Sequence, residues 1–360
     1  MIYRVIGCMS GSSLDGLDLA YCLLEESGGN WNYEIVSAAT IKYDETLKEK
    51  LRLAHRLSAL DYQLFNVEYG HYTGKQIKNF IAENQLEHKV HFISSHGHTA
   101  FHIPEKMMTS QIGDGAAIAA ETSLPVISDL RSLDIALGGQ GAPLVPIGEK
   151  LLFSDHQCFL NIGGIANLSV HNENVIAFDV CPANRVLNML AEEKGLEFDD
   201  EGKIASTGKI HGDLLKDLNQ QDYYKTDPPK SLANTFGTDL VYLLIQSYKV
   251  SVEDAMSTFI EHIAIQIDAS LQKQEIKNKQ LLVTGGGAFN LFLVERMKHY
   301  LQSSGIEIII PDTVIVQFKE VLIMALTGTL RWREEATFIA SVTGANRSSV
   351  GGALWLGNDL

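Results

Sequence analysis

Three short turns rich in glycine and hydroxyl residues carry the strongest chemical signal in this chain. The first, Ser10-Gly11-Ser12-Ser13, lies between an apolar run at Val5 and Ile6 and an alternating run through Leu17, Leu19, Tyr21 and Leu23, so it reads as a hairpin tip. Backbone N–H groups and hydroxyls exposed together suit a polyphosphate, and Asp15 and Asp18 stand where a carboxylate would reach its metal ion. Gly163-Gly164 turns a second hairpin, and Gly285-Gly286-Gly287 joins a strand to a helix. One such turn is ordinarily a tight bend and nothing more. Three on strand ends can converge on one nucleotide. Gly11 and Gly16 have the spacing of the P-loop, but Leu17 and Asp18 occupy its Lys and Ser/Thr positions, so that loop is excluded. The third turn lacks Gly-x-Gly-x2-Gly, because Asn290 stands three places beyond Gly287, and a Rossmann site is not supported.

Other candidates sit on strand ends. Asp179, followed by Val180-Cys181-Pro182, is placed to act as a general base, although turn and cap duty is the commoner use of Asp. His96, His98 and His102 invite a zinc reading, yet no carboxylates cluster nearby, and hydrogen bonding in a ligand cleft is the better account. Asp129, Arg131 and Asp134 follow a short strand and suit either a polar wall or a surface ion pair. Lys319 and Glu320 open an apolar helix, where Glu favours the positive end of the dipole or reaches a sugar hydroxyl.

Strands and helices alternate along the 360 residues, which predicts an α/β protein long enough for two cores. A strand is expected at residues 90–95, with His96-Gly97-His98-Thr99 as the loop at its C-terminal end, where α/β ligands gather. A second unit is expected to open as the first does, with strands at 158–162, 166–170 and 175–178. A helix is expected over 318–334. The Gly- and Pro-rich segment Leu137–Pro146 reads as the crossing between domains, which gives an N-terminal domain of residues 1–136 plus 337–360 and a C-terminal domain of 137–336.

Composition excludes several classes. With 29 basic and 44 acidic residues the net charge of −15 argues against a nucleic-acid or anionic-membrane surface. Cys8, Cys22, Cys158 and Cys181 show no metal or disulfide spacing and read as buried thiols in a reducing compartment. No apolar run is seen to approach the roughly 20 residues that span a bilayer, and a cytoplasmic protein is expected.

In combination and in order, several segments resemble the anhydro-N-acetylmuramic acid kinases, a branch of the sugar kinase/Hsp70/actin superfamily. They are Gly7-Cys-Met-Ser-Gly-Ser-Ser-Leu-Asp-Gly-Leu-Asp18, Ser95-His-Gly-His-Thr99 with His102 and Pro104, Ile112-Gly-Asp-Gly-Ala116, Gly138-Gly-Gln-Gly-Ala-Pro-Leu-Val-Pro146, Asn161-Ile-Gly-Gly-Ile-Ala-Asn-Leu-Ser169, Pro228-Pro-Lys-Ser231 and Gly285-Gly-Gly-Ala-Phe-Asn290. The resemblance implies two RNase H-like domains with mixed five-stranded sheets around a hinged interdomain cleft. It implies ATP and Mg2+, with the nucleotide against Gly11, Ser12, Ser13, Leu14, Asp15, Gly16 and Asp18 of the first tip. Asn161, Gly163 and Gly164 of the second turn would share it with Gly285, Gly286, Gly287 and Asn290 of the third. Asp15 is the implied metal contact, and Asp179 the base that deprotonates water. His96, Gly97, His98, Thr99, Asp129, Arg131 and Glu320 would orient the sugar.

The reaction implied is hydrolytic opening of a 1,6-anhydro bridge with phosphorylation of O6, in cell-wall recycling. The partners implied are a sugar, ATP and a second copy of the chain. Another anhydrosugar such as levoglucosan, or a regulatory nucleotide-binding protein of the same fold, are the alternatives. The chain departs from the family pattern at Ser12, where Thr is usual, at His98, where Gln is usual, and at Asp179-Val-Cys-Pro-Ala-Asn184, where Asp-Thr-Gly-Pro-Gly-Asn is usual.

Overall fold

A computed structural model describes residues 1–11, 14–172, 175–228, 230–232 and 235–357. Ser12 and Ser13, expected at the first tip, lie outside the described residues, as does Pro229 of the Pro-Pro-Lys-Ser segment. The chain divides into two compact units, 1–154 with 318–360, and 155–317.

Both units are built on one sheet order. In the first, β1 (Ile2–Ser10), β2 (Gly16–Ser27) and β3 (Asn30–Lys42) form an antiparallel meander. β4 (Phe92–Ile103) adds parallel to β1, and β6 (Val126–Ser128) adds parallel to β4. Two further strands extend this five-stranded core to seven. β5 (Met108–Ile112) pairs with β4, and β12 (Ala353–Trp355) pairs with β6. In the second unit β7 (Cys158–Ile162), β8 (Ile165–His171) and β9 (Val175–Pro182) repeat the meander. β10 (Gln280–Thr284) and β11 (Glu307–Ile309) then add in parallel on the other side of β7. The expected repeat of pattern is therefore a repeat of topology.

Period-two alternation decides what covers each face of the first sheet. Ile6, Cys8 and Ile93 join a core with Phe65, Tyr69, Ile77 and Phe80 of the helix Ala59–Glu83. On the opposite face, Gly7 lies so close to the helix Thr313–Trp332 that a Cβ would sit 2.3 Å from the carbonyl oxygen of Val321. In the second unit the helix Val252–Lys273 buries Met256, Phe259, Ile260 and Ile263 in a core with Leu160, Leu168 and Val283.

Several expectations change. The units divide after Ser154 and Gln317, so residues 137–154 and 318–336 lie in the first unit. Packing explains this: Phe153 meets the Tyr33 ring at 5.2 Å, and Glu149 pairs with Lys319. Second, β4 runs on to Ile103, so His96–Thr99 lie within a strand, because β5 supplies partners for the extension. Third, Asp179 lies inside β9, which pairs with β8 as far as Pro182. Fourth, the last long helix begins at Thr313, where the Asp312 carboxylate accepts from the Ile315 amide at 2.9 Å. Glu320 therefore lies beyond the first turn, outside the reach of the dipole argument. At 20 residues that helix also has the length and apolarity of a membrane span, contrary to the sequence expectation, and 78% of its apolar window is buried as in a core helix.

Candidate active site

In the first unit several candidate residues gather around the end of β1, the start of β2 and an irregularity within β4. Gly97 takes φ +73°, and two residues of β4, His96 and Gly97, stand opposite the single Met9 of β1. This bulge brings His98 level with Ser10. The Ser10 hydroxyl lies 3.0 Å from His98 Nδ1, Tyr43 donates to Ser10 at 2.8 Å, and Tyr69 lies 2.6 Å from Tyr43. Burial pushes His98 down to about 4, so its ring is neutral at physiological pH.

His96 is also neutral. Its Nε2 accepts from Arg131 Nε at 2.8 Å, and its Nδ1 donates to the Gly97 carbonyl at 3.0 Å. Burial first, and the Arg131 charge second, hold it at about 3. Burial lowers Arg131 to about 10, with Glu320 opposing the shift. Asp18 on β2 accepts from the Thr40 hydroxyl at 2.5 Å. Burial raises it to about 6 against that bond, and the like charges of Glu320 and Asp15 add to the rise. Glu320 thus acts electrostatically on both Asp18 and Arg131.

The remaining first-unit candidates are dispersed in role. Thr99 accepts from Gln111 at 3.4 Å. Asp129 is exposed, with φ +52°, and accepts from Ser132 rather than pairing with Arg131. Asp134 is fully buried and holds the Gly141 amide and the Thr343 hydroxyl, each at 2.8 Å, so it is a structural group and not part of an exposed wall. His102 meets Thr109 at 3.2 Å on the surface. Among the described residues, no group of three or more His, Cys, Asp or Glu side chains is placed to hold a metal ion.

In the second unit Asp179 is held on several sides. Val180 is the extra residue of a bulge, because Asn167 of β8 faces Asp179 while Ala166 faces Cys181. Asn167 donates to Asp179 Oδ1, and the Leu232 amide donates to Oδ2 at 2.7 Å. The Tyr223 hydroxyl donates to the Asp179 carbonyl at 2.6 Å. Burial raises the carboxyl above the usual Asp range, and the two bonds to the carboxylate pull it back. Lys230 lies over the Tyr223 ring at 4.5 Å, and burial lowers its ammonium.

The two glycine turns of this unit meet at Asn184. Its Nδ2 donates to the Ile162 carbonyl at 3.0 Å, and its backbone N–H donates to the Gly163 carbonyl at 3.0 Å. Gly285 takes φ +81°, and a Cβ on Gly287 would fall 2.2 Å from the Ile162 side chain. Both are therefore demanded by the fold. Gly163, Gly164 and Gly286 have no positive φ and no neighbour closer than 3.4 Å to an added Cβ. Protein packing does not explain those three. Asn290 caps the helix Leu291–Leu301 through the Leu293 amide at 2.9 Å.

Sequence reasoning missed Ser10, Tyr43, Asn167, Asn184 and Leu232 as members of these networks. Asn167 and Asn184 stood in quoted motifs, whereas Leu232 acts through a backbone amide that leaves no trace in residue type.

The family model and the relatives agree with one another. The family model described as anhydro-N-acetylmuramic acid kinase matches residues 3–357. An anhydro-N-acetylmuramic acid kinase of Bacillus thuringiensis subsp. konkukian is 30% identical, with 96% of this chain and 97% of the relative covered. One from Bacillus cereus is 32% identical, again over 96% and 97%. Among solved structures, an activator of the 2-hydroxyisocaproyl-CoA dehydratase from Clostridium difficile with bound ADPNP overlays 91% of this chain and 93% of its own. Its TM-score is 0.45 at 16% identity, a likeness too loose to bear on function. A family match that runs almost from end to end, with relatives aligned over nearly their whole length, means that the chain belongs to the anhydro-N-acetylmuramic acid kinase family.

Proposed function

We propose that this protein uses ATP to open the 1,6-anhydro bridge of 1,6-anhydro-N-acetylmuramic acid with water, placing the γ-phosphoryl group on O6. The products are N-acetylmuramic acid 6-phosphate and ADP, and the role is cell-wall recycling. The observation that carries the reading is Asp179, a half-buried carboxylate held by Asn167 and the Leu232 amide with its pKa raised by burial. Such a group is oriented and basic enough to take a proton from water.

The reaction balances around that proton. Water oxygen bonds to C1 as the C1–O6 bond breaks, and the water proton passes to Asp179. O6 then bonds to the γ-phosphorus as the bond to the ADP oxygen breaks. Alignment and charge neutralisation supply most of the catalysis in phosphoryl transfer. We assign the nucleotide to the turns at Gly11–Gly16 with Asp18, Asn161 with Gly163 and Gly164, and Gly285–Gly287 with Asn290. The spare room at Gly163, Gly164 and Gly286 supports this, since a phosphate oxygen can approach bare backbone there. The sugar is assigned to His96, Gly97, His98, Thr99, Asp129, Arg131 and Glu320.

Mg2+ fits the first hairpin. Burial first, and the like charges of Glu320 and Asp15 after it, disfavour the Asp18 carboxylate, and a cation would relieve this. An ion there would be held by one or two carboxylates, Asp15 first, and by phosphate oxygens. When bound, it would neutralise charge on the phosphates. Domain closure and dimer formation remain parts of this proposal that follow from the family alone.

ADP release tests the reading, with Mg-ATP and 1,6-anhydro-N-acetylmuramic acid, levoglucosan, N-acetylmuramic acid or no sugar, for the wild type and Asp179→Asn. Turnover with the first sugar only, lost in the variant, is expected. Turnover with levoglucosan alone would move the substrate, and full activity of the variant would remove the base.

A further inference from the structure

We infer that His98 is fixed as a hydrogen-bond donor to an acceptor oxygen of the bound sugar by a one-way chain of hydroxyls, Tyr69 to Tyr43 to Ser10, that ends on its Nδ1. This rests on the proposed placement of the sugar beside residues 96–99 and adds the polarity of the contact.

The direction follows from counting protons. Ser10, Tyr43, Tyr69 and His98 are 3%, 4%, 1% and 5% exposed, so a hydroxyl proton without an acceptor would carry a full desolvation penalty. Tyr43 gives its proton to Ser10 at 2.8 Å. Tyr69, 2.6 Å from Tyr43, must then be the donor in that pair. The Ser10 proton in turn needs an acceptor, and the His98 Nδ1 at 3.0 Å supplies one. A neutral imidazole that accepts at Nδ1 carries its proton on Nε2. Nε2 makes no hydrogen bond to any described residue, so its N–H is available to a ligand.

The neighbouring histidine has the opposite tautomer. His96 is protonated on Nδ1 and accepts on Nε2 from Arg131. Two histidines on either side of Gly97 thus present different polarity from one bulged strand. The glutamine usual at the position of His98 offers both a donor and an acceptor. His98, with Nδ1 already engaged, offers a donor only. The contact accordingly selects for an oxygen acceptor on the sugar.

Long-range 1H–15N correlation of the histidine rings, on the full chain at neutral pH and assigned with His98→Gln, tests the inference before any turnover is measured. The expected wild-type spectrum shows His98 protonated on Nε2 and bare on Nδ1. Adding 1,6-anhydro-N-acetylmuramic acid should move the Nε2 resonance, and ATP alone should not. Ser10→Ala should mix the tautomers and raise the KM for the sugar about fivefold, the scale of one neutral hydrogen bond, and His98→Leu should raise it more than His98→Gln. A wild-type His98 protonated on Nδ1 would overturn the relay. So would an Nε2 resonance that responds to ATP and not to the sugar. Loss of the Asp179 assignment in the ADP-release assay would leave the ring measurement on the ligand-free protein intact, so the two failures are separable.

Discussion

Arg131 donates from Nε to Nε2 of His96 at 2.8 Å, and that bond adds to burial in keeping the histidine neutral. Protonating His96 would set a second N–H against the guanidinium inside a buried site. The guanidinium is thereby oriented from behind by a neutral acceptor, while Glu320 acts on it electrostatically.

Acid sensitivity is the first consequence. Burial holds His96 at about 3, His98 at about 4 and His262, in the second unit, at about 3. In the unfolded chain these rings titrate at the ordinary histidine value of about 6.5. Below that pH the unfolded state binds protons that the folded state refuses. The stability is therefore fully present above about pH 6.5 and lost as pH falls through the folded values, by about 1.4 kcal/mol per pH unit for each ring. Urea unfolding between pH 7 and pH 4.5 should show this slope, and His262→Gln should flatten it by one proton. A variant with the wild-type slope would show that His262 titrates normally.

Lys319 and Glu149 form an ion pair at 2.9 Å with both side chains 2% exposed. Removing one partner takes the strongest counter-charge from a group that stays buried, which costs about 3–5 kcal/mol, whereas replacing both by apolar groups of similar size is often neutral. Lys319→Met and Glu149→Leu should each lower Tm severely, and the double variant should recover much of the loss. Additive losses in calorimetry would mean that further contacts of each residue dominate.

The glycine turns of the second unit separate folding from binding. Gly286→Ala places its Cβ no nearer than 3.4 Å to any neighbour, so Tm should hold while ATP affinity falls. Gly285→Ala combines φ +81° with contacts at 2.7 Å to Asn161 and Ile162, so Tm should fall first, by several degrees for a loss of about 1–2 kcal/mol. Thermal melts with and without ATP distinguish the two. Unchanged ATP affinity in Gly286→Ala would argue against nucleotide contact at that residue.

The sequence expectations met the fold where periodicity was strong. The paired meanders and the strand at 158–162 were legible because apolar runs broken by turns of small residues stand out in the sequence. The candidate residues were chosen by type, and several were misplaced by element. His96–Thr99 read as a loop because Gly97 breaks the alternation, whereas the glycine makes a bulge and the strand continues. The domain crossing was drawn at the glycines and prolines of 137–146, although buried pairing between Glu149 and Lys319 keeps that stretch in the first unit. Long-range side-chain bonds such as Tyr43 to Ser10, and backbone donors such as Leu232, leave no local pattern to read.

The base itself gives the sharpest pH test. Asp179 is pushed above the usual carboxylate range by burial and pulled back by the Leu232 amide and Asn167. A base must be ionised, so kcat/KM should fall on the acid side at a higher pH than an ordinary Asp would give. Replacing Asn167 by Leu removes one of the two bonds that favour the ionised form, while the Leu232 amide still holds Oδ2. The acid limb should then move upward in pH, with activity most reduced on the acid side and least reduced on the alkaline plateau. A purely structural role for Asn167 predicts a uniform loss at every pH with the limb unmoved. The full pH profile of kcat/KM for the wild type and Asn167→Leu decides between them, because the stabilisation of a carboxylate is a quantity that only its titration reports.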